Sequence, residues 1–174
     1  MDPGFPAQVS VVRYAAYGSN LHPIRLTERL PSARLVGPGF LPRQTLEFHK
    51  RSVDESAKCT LVDGGEGAYV AIYEISANDK ARLDEIEGVG SGYSDKVVDV
   101  PGFSACATYI AQPTHIDTGL KPYCWYRDLV VLGCRFHGFP DSYIDRIAGV
   151  ASAADPDADR SATNDALLAR IRGT

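Results

Sequence analysis

Glu87 is the residue around which a reaction is most readily written. It follows Leu83 by four positions, closes a helical pattern, and is succeeded by Gly88-Val-Gly90-Ser-Gly92-Tyr93. Residues four apart share a helix face, so Glu87 is expected to point to the apolar side with Leu83, and Ile86 to lie near them. A carboxylate driven inward at a helix C-terminus is partly desolvated and opposed by the negative helix end. Both effects raise its pKa toward a value suited to proton transfer. The alternative is a structural glutamate bonded to the backbone N–H groups of Gly88 to Gly92. Asp84 reads either as part of a solvated face or as a neighbour of Glu87. Tyr93 either closes a pocket with its ring and hydroxyl or belongs to the core.

A second stretch with chemical potential is Tyr14-Ala-Ala-Tyr17-Gly18-Ser19-Asn20-Leu21. Val9, Val11, Val12 and Tyr14 read as a buried strand, Gly18 as the turn residue with freedom of backbone angles, and Ser19 and Asn20 as suited to cap the following helix. A helix opening behind a glycine turn leaves N–H groups unpaired, a site for a carboxylate or a developing oxyanion. The same pattern also serves an ordinary strand-to-helix turn.

Other reactive residue types are dispersed. Cys59, Cys106, Cys124 and Cys134 include no CxxC pair and read as small buried thiols. Cys134 and His137 are three apart, the spacing of a metal half-site or a Cys/His pair, but no further ligand stands at suitable spacing, so no metal is expected. His22, His49 and His115 are isolated. Gly64-Gly-Glu-Gly67 lacks the Lys-Ser/Thr ending of a phosphate loop and is followed by a strand, which makes a hairpin turn the expectation.

The elements that must position these residues follow from local patterns. His22 to Leu30 reads as a short helix with an early proline, ended by Pro31. Arg25 on it either pairs with an acid to hold the helix down or touches a ligand. Strands are expected at 33–36, 40–41, 45–49, 57–62 and 68–75, then 96–100 and 105–111 across Pro101-Gly102. Ser76, with Asp79 three residues later, starts the helix that Gly88 ends. Two apolar helices follow, 122–132 and 140–150. Residues 151–174 read as a small acidic tail with a weak helix from about Ala162 to Arg172, after a main domain over 1–150.

Together with Pro122, Tyr126, Gly133 and Gly138-Phe-Pro-Asp-Ser-Tyr143, the two stretches resemble the γ-glutamylcyclotransferase family, of AIG2-like fold, whose members carry a YGSN-type loop and a later EGV-type glutamate. The resemblance runs from about Arg13 to Ile147. It implies an α+β fold, a small mixed β-barrel of six or seven strands flanked by helices. It also implies cyclisation of a γ-glutamyl group to 5-oxoproline without a cofactor, with Glu87 as catalytic acid/base. Tyr17, Gly18, Ser19, Asn20, Leu21, Tyr93 and Tyr126 would bind substrate, Arg25 matches a family arginine, and Val70 stands where the family often has glycine.

Composition sets the outer bounds. The chain has 174 residues, a hydrophobic fraction of 44%, a charged fraction of 23% and a net charge of −4. One domain with an ordinary core is expected, and nucleic acid is not, since no basic run appears. Neither a signal sequence nor a membrane-spanning stretch is read, which predicts a cytoplasmic protein, monomer or homodimer, acting on a small γ-glutamyl molecule. The leaving group stays open among an amino acid, glutathione, a polyamine and a natural-product amine. The competing functions are a γ-glutamyl amidohydrolase, which would yield glutamate, and a non-catalytic γ-glutamyl-binding module, against which the presence of Glu87 argues.

Overall fold

Val11–Ala16 (β1) occupies the middle of a five-stranded sheet, where its alanines Ala15 and Ala16 are wholly covered. The computed structural model describes residues 10–174, so Val9 and the rest of the first nine residues lie outside it. After β1 come helix α1 (Pro23–Arg29) and strands β2 (Arg34–Leu41), β3 (Gln44–Arg51), β4 (Ala57–Asp63) and β5 (Ala68–Ser76). Helix α2 (Ala77–Glu87), strands β6 (Tyr93–Val100) and β7 (Ser104–Ala111), and helices α3 (Cys124–Phe136), α4 (Asp141–Ala148) and α5 (Ala158–Arg172) complete the order.

The sheet order is β2-β5-β1-β7-β6, with β1 antiparallel to β5 and parallel to β7. The hairpin β3-β4 forms a separate two-stranded sheet. The architecture is therefore α+β, as expected, but no continuous closed ladder joins the strands among the described residues. What brings the edges together is side-chain contact. A Cβ on Gly39 of β2 would lie 2.9 Å from Val100 Cγ1 at the end of β6, and Arg13 donates to the Phe103 carbonyl at 2.7 Å. The twist of the sheet curls its rims toward each other, and the hairpin leans on β7 where the Ala111 amide donates to Thr60 Oγ1 at 3.0 Å.

This topology corrects the reading of the glycine run. Gly64 to Gly67 is not a hairpin turn, because β4 pairs with β3 while β5 pairs with β1 and β2. The three glycines have positive φ and carry the chain between sheets. Val70, the departure from the family pattern, is buried against the Gly39 backbone.

Helix α2 follows its local signals. Ser76 Oγ accepts from the Asp79 amide at 3.1 Å, and Gly88, at φ 66° and ψ 49°, ends the helix with the Val89 amide donating to the Asp84 carbonyl. That left-handed cap needs a residue without a Cβ penalty. Leu83 is buried as expected, whereas Ile86 is 40% exposed and faces a cavity. In residues 151–174 the helix begins earlier than its apolar residues suggest, at Ala158, with Asp157 as cap, and it buries Leu167, Leu168 and Ile171 as it packs on α3.

Candidate active site

The carboxylate of Glu87 leaves the last turn of α2 toward the turn after β1. Its side chain is 19% exposed, Oε1 accepts from Asn20 Nδ2 at 3.1 Å, and Arg29 of α1 lies 4.0 Å away. Asn20 in turn accepts from Arg29 at 3.2 Å and donates to Tyr14 Oη at 3.2 Å. Asn20 is thus the hub that fixes the glutamate rather than a helix cap. The cap of α1 is His22, whose Nδ1 accepts from the Ile24 amide at 3.2 Å.

Gly18 holds its place for reasons of space, not torsion, since its φ is not positive. A Cβ there would lie 3.1 Å from Cys59 Cβ and 3.5 Å from Tyr126 Oη. The turn is closed by the Leu21 amide donating to the Gly18 carbonyl at 3.1 Å. The amides of Gly18, Ser19 and Asn20 have no partner among the described residues.

An inner cavity of about 30 Å3 brings together Tyr17, Gly18, Ser19, Asn20, Glu87, Tyr93 and Tyr126, seven of the eight residues expected there. Leu21 is the exception. It is buried beneath, its carbonyl accepting from Tyr73 Oη at 2.7 Å and from His137 Nε2 at 2.7 Å. Helix α3 can approach Leu21 so closely only because residue 133 is glycine, where a Cβ would fall 2.4 Å from Leu21 Cβ. Tyr14, Cys59 and Tyr109 also line the cavity, although the sequence reading gave Tyr14 only as a strand residue, Cys59 only as a buried thiol, and Tyr109 no role beyond its strand. Their signal was slight, since each sits within an apolar strand run like any core residue.

The tyrosines are held by the backbone around them. Tyr93 Oη donates to the Cys59 carbonyl at 2.5 Å, the Cys59 amide donates to Tyr126 Oη at 3.1 Å, and Tyr17 Oη donates to the Tyr109 carbonyl. Burial pushes the Tyr17, Tyr93 and Tyr126 phenols well above the usual tyrosine range, and the Cys59 thiol above the cysteine range. None of them is a nucleophile near neutral pH. Burial also raises Glu87, opposed by Arg29, Asn20, Lys50 and Arg25, which leaves it as the inner cavity's titrating group.

Asp84 is partly exposed on α2, and its hydrogen bonds go to groups other than Glu87. It accepts from Tyr109 Oη at 2.7 Å and from Lys80 Nζ at 2.5 Å, so it braces β7 against α2. Cys134 and His137 do not form a pair: the thiol is buried, which pushes it up to about 12, and the imidazole is committed to Leu21. No group of three or more potential metal ligands occurs among the described residues. No helix of the described residues is long and apolar enough to cross a membrane.

Residues 68–147, from β5 to α4 and including Glu87, Tyr93 and Tyr126, match the AIG2-like family. The fold is similar to that of a solved γ-glutamyl cyclotransferase, at a TM-score of 0.81 and 23% identity over 92% of this chain and 99% of that one. It is also similar to an uncharacterized protein from Homo sapiens, at a TM-score of 0.80 and 24% identity over 91% of this chain and 98% of that one. YkqA from Bacillus subtilis matches at 0.70 and 19% identity, over 83% of this chain and 56% of that one. No curated protein matches the sequence. The resemblance read from the motifs is thereby borne out at the level of family likeness and fold.

Proposed function

We propose that this protein is a γ-glutamylcyclotransferase, in which the substrate's own α-amine attacks its γ-carbonyl. The observation that carries this reading is one cavity lined both by Glu87, largely buried and raised in pKa by that burial, and by the Gly18–Asn20 turn with its unpartnered amides. Glu87 takes the first proton from the α-ammonium, the freed nitrogen attacks the γ-carbon, and the carbonyl electrons move to an oxygen that the turn amides stabilise. The protonated Glu87 then gives that proton to the leaving nitrogen as its bond to the γ-carbon breaks and the carbonyl re-forms. As a carboxylate again, Glu87 takes the second proton from the ring nitrogen and passes it to the released amine, so that the products are 5-oxoproline and an ammonium. The tyrosines supply shape and neutral hydrogen bonds. No cofactor is called on.

The reading is tested on the nucleophile. N-acetylation of a γ-glutamyl substrate delocalises the nitrogen lone pair and leaves no ammonium proton for Glu87, so turnover should vanish while competitive binding remains. Cleavage of the acetylated compound at a rate comparable to its parent, or glutamate in place of 5-oxoproline as product, would replace the cyclotransferase by an amidohydrolase.

A further inference from the structure

Beside the inner cavity opens an outer one of about 170 Å3, which shares Ser19, Glu87, Tyr93 and Tyr126 with it and belongs to the same site. A third cavity, of about 380 Å3, shares no residue with either and draws its lining from β2, β3, β5, α4 and the loop between β4 and β5. That loop is the glycine run, for which the reaction has no use. The rings of Phe40, Tyr69 and Tyr143 line the cavity, and so do the opposite charges of Glu66 and Arg146.

Both charges are carried by fixed structure. Thr45 Oγ1 donates to the Gly64 carbonyl at 2.8 Å, and the Gly64 amide donates to the Arg43 carbonyl at 2.7 Å. A Cβ on Gly65, at φ +86°, would strike Thr45 Oγ1, and one on Gly67, at φ +113°, would strike the Phe40 ring. Only glycine lets the loop lie this close to the strands with such torsions, and Glu66 stands between the two. Arg146 Nη1 donates to the Leu46 carbonyl at 3.1 Å, and the guanidinium carbon lies 5.3 Å from the centre of the Tyr143 ring. Glu66 and Arg146 are exposed, and neither forms an ion pair among the described residues. Two opposite charges thus face one cavity without meeting each other. The ring of Tyr69 lies 4.8 Å from that of Phe40 and 5.0 Å from that of Tyr143, so the three form one continuous apolar surface, and Phe40 and Tyr69 are only half-buried.

We infer that this cavity is a binding site for a free α-amino acid with an aromatic side chain, its carboxylate paired with Arg146, its ammonium with Glu66, and its ring on the Phe40 and Tyr69 surface. A simple anion would satisfy Arg146 and be repelled by Glu66, a simple cation the reverse, and an uncharged apolar molecule would use neither. A zwitterion answers both, the guanidinium fork suits a carboxylate, and ring on ring is a favoured contact. The volume is that of a small-molecule site. The inference is independent of the cyclotransferase reading.

The probe is L-tryptophan, titrated into isotopically labelled protein and followed by the amide signals of Glu66, Gly67, Tyr69 and Tyr143. The comparators are tryptamine, which lacks the carboxylate, indole-3-propionate, which lacks the ammonium, and L-leucine, which lacks the ring. L-Tryptophan should move those signals with a dissociation constant of about 1 mM or lower, and each comparator should bind about fivefold or more weakly. In Arg146→Met the preference for L-tryptophan over tryptamine should fall toward one while that over L-leucine persists, which shows that the variant is folded. In Glu66→Gln the preference over indole-3-propionate should fall in the same way. Absence of shifts at about 10 mM, equal binding of L-tryptophan and both one-charge comparators, or shifts confined to the inner and outer cavities overturns the inference. So does a preference that survives unchanged in both variants, or a dimer of the protein whose contact covers these signals and leaves L-tryptophan without effect.

Discussion

Replacing Glu87 by Gln keeps the shape of the side chain and an oxygen for Asn20, while removing the one carboxylate that lines the inner cavity. Activity of the folded variant should fall by about a hundredfold or more. The same substitution should stabilise the protein. A folded-state pKa above the ordinary glutamate range means that the contribution of Glu87 to stability is present below that range and lost as pH rises through the folded value. Glutamine has no such loss. The variant should melt above the wild type at pH 7 to 8, and the difference should disappear near pH 4. Arg29 works against burial at Glu87, so Arg29→Gln should shift the acid limb of the kcat/KM profile to higher pH. An acid limb that stays in place would show that Glu87 does not set it.

Among the elements, local signals were legible and pairings were not. Ser76 and Gly88 mark the ends of α2 because caps act through neighbours in sequence, and the same holds for Pro23 in α1. The partner of β4 was misread because a glycine run between two strand patterns looks the same whether the strands pair or part. Arg25 on α1 and Lys50 on β3 line one cavity although they are 25 residues apart, which no local spacing reveals. Gly133 is the element-level position with the sharpest consequence. Alanine would gain about 1 kcal/mol of helix propensity over glycine, but its Cβ would stand 2.4 Å from Leu21 Cβ, where neither atom belongs to a flexible side-chain end. Overpacking of this kind costs about 1–3 kcal/mol or more, so the clash wins. Gly133→Ala should lower Tm, and kcat/KM should fall further than the unfolded fraction explains, because α3 displaces the turn that carries Ser19 and Asn20. A variant as stable and active as wild type would mean that α3 and the turn are not in the contact described.

At the scale of the whole molecule, residues 151–174 are tied to the part of α3 that faces the outer cavity. The Cys124 amide donates to the Ala153 carbonyl at 2.9 Å, the Ala153 amide donates to the Pro122 carbonyl at 2.9 Å, and Trp125 Nε1 donates to Asp155 at 2.8 Å. Trp125 itself lines the outer cavity. The sequence showed small and acidic residues here, and the decisive features were sparse: Asp157 as a cap, and Leu167, Leu168 and Ile171 at helical spacing. Leu168 is buried on α5, so Leu168→Ala should cost about 2–5 kcal/mol, read as a fall in Tm of several degrees. Asp155 provides a pH-resolved companion. Hydrogen bonds from Arg160 and then Trp125 hold its carboxyl below the usual aspartate range, so its contribution is present above that range and lost as pH falls through the folded value. Asp155→Asn should therefore melt below wild type at pH 7, with the gap closing in strong acid. If the tie also steadies Trp125, the variant should raise KM for a γ-glutamyl peptide while leaving the pH of the Glu87-dependent limb in place. Equal melting at pH 7 would show that the Asp155 contacts add nothing to the fold, and a displaced limb would show that they act on Glu87 rather than on the outer cavity.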